Sequence, residues 1–198
     1  LQSYVLSQFF PVNLNMLIGQ QRRFVYFFTE SHSKRKGSMT DQQREKTTTI
    51  YINKSFEDSR ISLMFKRLLE YLDGRCASST ITLNTDEQPI YERVIEQWNR
   101  ERDKHPGRPR ITHVQTSSRK PRTRDNPLFS ANYLDRLLRK DMPNHRRETI
   151  CQARNDRNLL SRLSYYLVTH NFFKPYRIGS GVKQTTRLHA DGVINHTG

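Results

Sequence analysis

The segment of residues 126–155, NPLFSANYLDRLLRKDMPNHRRETICQARN, places one acid, Asp135, among closely spaced bases. A helix repeats about every 3.6 residues, so Asp135 and Arg139 share one face, and Arg136 and Lys140 share the adjoining face. An acid in such surroundings can hold a divalent cation while the bases hold phosphate. The spacing alone favours a simpler alternative, an Asp135–Arg139 ion pair on a solvated helix.

The charge balance of the whole chain predicts a polyanionic partner. Lys and Arg total 34 against 19 Asp and Glu, which gives a formal charge of +15. Neutralising phosphates releases counterions, so this balance is typical of nucleic-acid binding. A basic membrane-surface protein would need an amphipathic helix with a clean apolar face and a cationic rim, and the sequence offers none in isolation.

Length and cysteine content indicate one domain in a reducing compartment. The 198 residues fit one domain or one domain with appendages. Cys76 and Cys151 form no metal-ligand pair and are interpreted as buried thiols, with a disulfide left open. No apolar run reaches membrane-spanning length and the first residues lack a signal-peptide pattern. These features predict a soluble, intracellular protein.

Apolar periodicity predicts the elements that must position these residues. Residues 1–20 show no clear period and stay unassigned. Residues 24–28 (FVYFF) and 47–53 (TTTIYIN) predict strands. A helix over 60–73 is expected, with Ser59 as its N-cap and Gly74 after its end. Residues 79–84 predict a strand, a helix with Pro89 in its first turn follows, and residues 111–116 predict another strand. The helix around Asp135 and one over 156–170 complete the chain. Strands alternating with helices indicate an α/β fold with a mixed sheet.

Residues 99–127 differ in composition from their surroundings. Nine Lys or Arg lie between Arg100 and Arg124 against two acids, together with Pro106, Gly107, Pro109 and Pro121. This pattern predicts an extended cationic segment that can follow a phosphate backbone, or else a solvated linker. Both can hold, because basic segments often become ordered only on nucleic acid.

Several motifs together carry a resemblance to a known family. YLDRLLRKDMPNHRRETIC, followed by NLLSRLSYYLVTHNFFKPYR, resembles the C-terminal part of bacterial insertion-sequence transposases of the DDE type. In that family an acid–Arg pair begins a helix, and an RRxT-like step and an aromatic-Asn-Phe-x-Lys-Pro segment follow. TDEQPIY is similar to the Thr-Asp-x-x-x-x-Tyr pattern around the second catalytic acid, and TRLHAD to a His-Ala-acid segment. The resemblance covers residues 79–191.

This resemblance implies a ribonuclease-H-like fold, a mixed sheet flanked by helices, over residues 21–178. Residues 99–127 would be a basic insertion and 179–198 a C-terminal tail. Three carboxylates would hold two divalent ions, Mg²⁺ or Mn²⁺, that cleave and transfer DNA strands. On the matching positions Asp86 and Asp135 are expected to be catalytic metal ligands. The alternative for Asp86 is helix capping, with Thr85 and Gln88 as a capping box.

The first catalytic acid is not evident, because the predicted strand at 24–28 contains no acid. Glu30 is the nearest acid and is the candidate, and Thr29 could occupy the position of a lost aspartate. In that case the chain would be a truncated or decayed element that binds DNA but cuts it poorly or not at all.

The expected partners are insertion-sequence ends and target DNA, with a homodimer or higher synaptic assembly, in the bacterial cytoplasm near the nucleoid. A non-catalytic basic nucleic-acid-binding protein is the alternative, and a ribosomal-type RNA-binding protein is a third reading. The predicted phosphate contacts come from these bases: Arg119, Lys120, Arg122, Arg124, Arg136, Arg139, Lys140, Arg146, Arg147, Lys174 and Arg177. His145, beside two arginines, is also expected to meet phosphate.

Overall fold

A computed structural model describes residues 3–5, 12–32, 38–53, 60–76, 78–105, 107–145 and 156–175. Within these residues the chain is a mixed α/β protein, which agrees with the α/β class expected from the sequence, but its strands form two small sheets and not the single mixed sheet that was expected. Three strands form an antiparallel sheet in the order β1 (Ser3–Val5), β2 (Val12–Ile18) and β3 (Val25–His32). A parallel pair, β4 (Thr80–Thr85) and β5 (Arg110–Gln115), forms the second sheet.

The helices follow the chain order α1 (Asp41–Asn53), α2 (Arg60–Glu70), α3 (Pro89–Glu101), α4 (Phe129–Asp141) and α5 (Asp156–Phe172). The strands at 79–84 and 111–116 and the helices after them are therefore confirmed to within a few residues. Gly74 follows α2 with a φ of 69°, a left-handed conformation in which glycine carries no steric penalty. Ser59 lies outside the described residues.

The strand predicted at 47–53 is wrong, because these residues form the second half of α1. Thr40 and Gln43 cap the helix reciprocally, since each accepts the other's backbone N–H on its side-chain oxygen, at 3.2 and 3.3 Å. The hydroxyls of Thr47, Thr48 and Thr49 each donate to the carbonyl four residues earlier. These bonds satisfy the three hydroxyls inside the helix, and the Thr40–Gln43 cap stabilises the start of the helix that contains them.

Residues 1–20, unassigned from the sequence, contain β1 and β2. Residues 12–16 (VNLNM) alternate apolar and polar residues, as a half-buried strand would, yet both faces of the β2–β3 ladder are covered. Leu14 and Met16 pack with Leu134, Leu138 and the inner side of α5, whereas Leu17 packs with α2 and β4. Asn13 and Asn15 are buried on the Leu17 face.

The described residues form two hydrophobic cores, of which the first contains Leu14, Met16, Leu134 and Leu138. The second core joins α2, α3 and the parallel pair. It contains Phe65, Leu68, Leu83, Ile111 and Trp98, all nearly inaccessible to solvent. α2 contacts both β3 and α3, so this helix links the antiparallel sheet to the parallel one. The first core holds α4 and α5 against the other face of the antiparallel sheet, and Leu159, Leu163 and Leu167 face it as expected.

Candidate DNA-processing site

Asp86 directly follows β4, at the carboxyl end of the parallel pair. Its Oδ1 accepts the backbone N–H of Gln88 at 3.3 Å, which fixes the turn into α3. Burial raises the pKa of the Asp86 carboxyl, and the Gln88 N–H opposes that shift. A half-buried carboxylate that folding disfavours in its charged form is suited to a cationic ligand, which would restore the charged state.

Thr85 is buried beside Asp86 but does not cap α3. Its hydroxyl donates to the Asp86 carbonyl at 2.8 Å and lies 2.7 Å from Nε2 of His113 on β5. Since the hydroxyl hydrogen is used, the His113 Nε2–H is assigned as donor to the Thr85 oxygen. Gln88 is the N-cap of α3 and has no side-chain capping bond. The capping box that provided the alternative for Asp86 is therefore not formed.

The Asp86 carboxylate faces a small hollow of about 50 Å³. Lys120 and Arg122 line this hollow together with Ser117 and Asn132. Asn126 shapes its wall, because its amide donates to the Pro121 carbonyl at 2.8 Å and accepts the Leu128 N–H at 2.8 Å. The hollow thus brings one carboxylate, neutral oxygen donors and two cations together.

Asp135 lies one helical turn after Asn132 on the same face of α4, so its backbone is about 4.5 Å further along the helix axis. It pairs with Arg139 at 3.0 Å, which confirms the expected ion pair. The helix face is not solvated, however, because Asp135 is only 5% exposed. The apolar neighbours on α4, Leu134 and Leu138, draw this side of the helix into the first core.

Glu30 lies on β3 opposite Leu14 and therefore on the sheet face that packs against α4 and α5. One of its carboxylate oxygens is buried without a hydrogen-bond partner. Thr29 points to the other face, where its hydroxyl donates to the Met64 carbonyl of α2 at 3.1 Å. This buried contact argues against Thr29 as the vacated position of a catalytic aspartate, since a carboxylate there would face a carbonyl oxygen.

No group of three or more His, Cys, Asp or Glu side chains that could hold a metal ion occurs among the described residues. Asp86, Asp135 and Glu30 therefore do not meet there as one three-carboxylate cluster. The expectation that Asp86 and Asp135 share an ion stays a prediction.

Some of the bases predicted to contact phosphate are exposed to solvent, and others form ion pairs with carboxylates. Arg139 pairs with Asp135, and Lys174 pairs with Asp141 at 2.7 Å. His145 is 1% exposed, so the expectation that it meets phosphate is wrong. Arg146, Arg147 and Arg177 lie outside the described residues, as does Cys151. The bases exposed to solvent are Arg119, Lys120, Arg122, Arg124, Arg136 and Lys140.

Residues 99–127 are only partly an extended segment. They include the end of α3, a single turn of 3₁₀-helix at Arg102–Lys104, and β5. Arg108 is 8% exposed and its guanidinium lies 4.0 Å from the centre of the Trp98 ring. This arginine belongs to the core and not to the phosphate-binding surface. The four exposed bases between 119 and 124 follow β5 in a stretch of turns.

Two residues at this site were not predicted from the sequence. Asn132 lines the Asp86 hollow, and its position three residues before Asp135 was the available signal. His113, bonded to Thr85, lies beneath the turn that carries Asp86, and burial lowers its pKa. Nothing in the local sequence connects His113 with Thr85, because the register of β4 with β5 brings them together.

Comparison with known proteins finds no matching family model, curated protein or solved structure. Within the described part of the chain, none of the helices has the length and apolar character needed to cross a membrane.

Proposed function

We propose that this chain is a transposase of the DDE type, which cleaves and transfers DNA strands with the help of divalent metal ions. The observation that carries the proposal is the Asp86 hollow, in which a half-buried acid at the end of a parallel strand shares the lining with Lys120 and Arg122. A metal-bound phosphate has both the positive and the negative charge that such a set complements. The motif resemblance around Asp86 and Asp135 supports the same reaction.

The donor set of the hollow fits Mg²⁺ or Mn²⁺. Asp86, Ser117 and Asn132 offer oxygen atoms, and such hard cations prefer oxygen ligands while keeping several waters. Asp86 would hold the ion, with Asp135 as a second carboxylate from the next turn of α4. When bound, two such ions activate the attacking oxygen and stabilise the leaving oxygen of a phosphodiester.

The protein's own side chains would bind and orient the DNA. Lys120 and Arg122 can each hold a phosphate oxygen beside Asp86, and both are exposed. Arg139 holds the Asp135 carboxylate at 3.0 Å and has one third of its side chain exposed. Arg139 can therefore exchange its carboxylate partner for phosphate, which would release Asp135 toward the ion.

The finer fold that we propose is ribonuclease-H-like. Antiparallel strands, a parallel pair and helices packed on both sides are components of such a fold, although the described residues place the strands in two sheets and not in one mixed sheet. Asp86 would then occupy a strand end, where ligands bind in sheets with parallel strands.

The test is DNA cleavage with Mg²⁺ or Mn²⁺ by the full chain, on DNA that carries the ends of its own element. Asp86→Asn should abolish cleavage, and Asp125→Asn, which changes an exposed acid in the basic segment, should leave it intact. A readout independent of activity is metal binding: Mn²⁺ should raise the unfolding temperature of the unchanged chain but not that of Asp86→Asn. Equal stabilisation of both proteins would contradict a metal ligand at Asp86.

A second function, DNA binding without cleavage, is favoured by one observation. The three candidate acids do not form a cluster in the described residues, whereas six predicted phosphate-binding bases are exposed. Under this alternative the chain binds DNA in a salt-sensitive way, yet neither ion produces strand cleavage, and Asp86→Asn has the same DNA affinity as the unchanged chain.

A further inference from the structure

A second, larger cavity of about 560 Å³ adjoins the Asp86 hollow. Leu128 lines both cavities and is the wall between them. The larger cavity, called the β4 cleft below, opens between the β2–β3 turn, the end of α2, β4 and the start of α4. Its size lies in the range of roughly 300–1,000 Å³ that is usual for small-ligand sites. It can accommodate one nucleotide but not a duplex.

Flat aromatic rings form one side of the β4 cleft. Tyr26 and Tyr71 line it, and the Tyr71 ring is stacked on Phe27 with centroids 4.6 Å apart and an interplanar angle of 2°. Arg75 also lines it, with its guanidinium 4.7 Å from the centre of the Tyr71 ring. Phe27 and Arg75 thus cover the two faces of the Tyr71 ring, so the surfaces left for an unpaired base are the outer face of the Arg75 guanidinium and the Tyr26 ring.

A polar wall faces the entrance of the β4 cleft. The Asn84 side-chain amide donates to the Gln20 amide oxygen at 3.3 Å, and both residues line the cavity. Carboxamides carry donors and acceptors side by side, as the hydrogen-bonding edge of a nucleobase does.

The neighbouring hollow supplies the charge for a nucleic-acid backbone. Lys120 and Arg122 lie across Leu128 from the β4 cleft and are exposed. A strand whose phosphate contacts these bases would have the adjacent base within reach of the cleft.

We propose that the β4 cleft binds one unpaired nucleobase of a DNA strand whose backbone follows Lys120 and Arg122 past Asp86. This inference rests on the proposed function, because it takes DNA as the substrate, and it adds that the strand at the site is unpaired. A base in a duplex must leave its partner before it can enter such a pocket, so DNA ends and melted junctions are favoured over continuous duplex.

The test measures the affinity of the full chain for a short duplex with a single-stranded overhang, by anisotropy of labelled DNA. The same duplex is then used with an abasic residue at each overhang position in turn. One position should matter, and loss of its base should weaken binding about 10-fold or more, as for other bases stacked on aromatic side chains. The abasic series needs no protein variant, so it does not depend on whether a substituted chain folds.

Two variants then locate the effect in the β4 cleft. Thr82 is exposed on β4 and lines the cleft, so Thr82→Trp should fill it and make intact and abasic overhangs bind equally. Thr112 is the exposed register partner of Thr82 on β5, and Thr112→Trp is the matched control that should behave like the unchanged chain.

The outcomes separate this inference from the proposed function. Salt-sensitive DNA binding with no loss at any abasic position would overturn the nucleobase site and leave DNA binding intact. An abasic effect that persists in Thr82→Trp would place the base elsewhere and also overturn the assignment. Absence of DNA binding would overturn the proposed function and the nucleobase site together.

Discussion

Substitution of Arg108 should lower the stability of the fold, whereas substitution of the exposed bases after β5 should weaken DNA binding. The sequence by itself presents all of them as one cationic segment. The Arg108 guanidinium donates to Asp73 at 3.3 Å, lies 3.8 Å from Glu101 and covers the Trp98 ring at 4.0 Å. The Trp98 indole in turn donates to the Pro109 carbonyl at 3.0 Å. Arg108→Ala removes all of the guanidinium contacts at once.

The expected decrease in the free energy of unfolding follows from these contacts. A hydrogen bond to a charged group contributes about 1.5–3 kcal/mol, and a desolvated cation–π contact about 1–2 kcal/mol. Asp73 and Glu101 each keep one third of their side chains exposed, so solvent screens part of the ionic contribution. We expect a loss of about 2–4 kcal/mol in the free energy of unfolding, which corresponds to roughly 5–15 °C in Tm for a chain of this size.

The assay is urea unfolding followed by the fluorescence of Trp98, the single tryptophan of the chain, with circular dichroism as a second probe. Arg110→Ala is the matched control, because Arg110 is exposed on β5, and its change should stay within about 0.5 kcal/mol. Equal unfolding midpoints for Arg108→Ala and Arg110→Ala would refute the structural role of Arg108.

The contribution of the exposed bases to DNA binding is tested with a variant in which the charges of Arg119, Lys120, Arg122 and Arg124 are reversed. This variant should keep its stability and lose salt dependence, with the slope of log affinity against log salt falling by about 0.9 per lost phosphate contact. Arg108→Ala should keep the slope wherever it is folded. An unchanged slope in the reversed variant would make residues 119–124 a linker.

Three further predictions concern pH and helix capping. Burial raises the pKa of Asp86, so the folded state binds the carboxyl proton more tightly than the unfolded state does. The stability of the unchanged chain relative to Asp86→Asn should therefore rise as pH falls through the raised pKa. A difference in urea midpoints that does not depend on pH would contradict this. Burial lowers the pKa of His145 from 6.5 to about 4, so stability should fall as pH drops between these values, by up to roughly 3 kcal/mol, and His145→Asn should remove that fall in pH-dependent thermal unfolding. Thr40→Ala should cost about 1 kcal/mol by removing one half of the Thr40–Gln43 cap, measured by urea unfolding against Thr48→Ala, which leaves the cap intact.

Local pattern was sufficient for the four helices α2 to α5 and for the parallel pair. Each of these helices places apolar residues every three or four positions on the side that meets a core, as Leu159, Leu163 and Leu167 do. β4 and β5 are short β-rich runs bounded by polar turns, so their limits were also visible. The same reasoning placed Asp86 at a strand end and paired Asp135 with Arg139.

Local pattern failed where contacts beyond the segment, or capping bonds, decide the outcome. The run TTTIYIN has strand-forming composition, but it continues a helix whose start is stabilised by the Thr40–Gln43 cap. β2 was missed although residues 12–16 alternate apolar and polar, because this run is short and continues into the wholly apolar residues 16–18.

The site depends on tertiary structure for its composition. The sequence could suggest chemistry on phosphate, which stays a prediction, since an excess of bases and a few acids are properties of composition and spacing. Which acid faces which base could not be inferred, because Asp86 and Asn132 meet only when the start of α4 is held against the β2–β3 turn. The Ser130 hydroxyl donates to the Gln20 carbonyl at 2.6 Å, and Arg23 covers the Tyr133 ring at 4.5 Å. These contacts join residues far apart in the chain, and their geometry exists only after the two cores have formed.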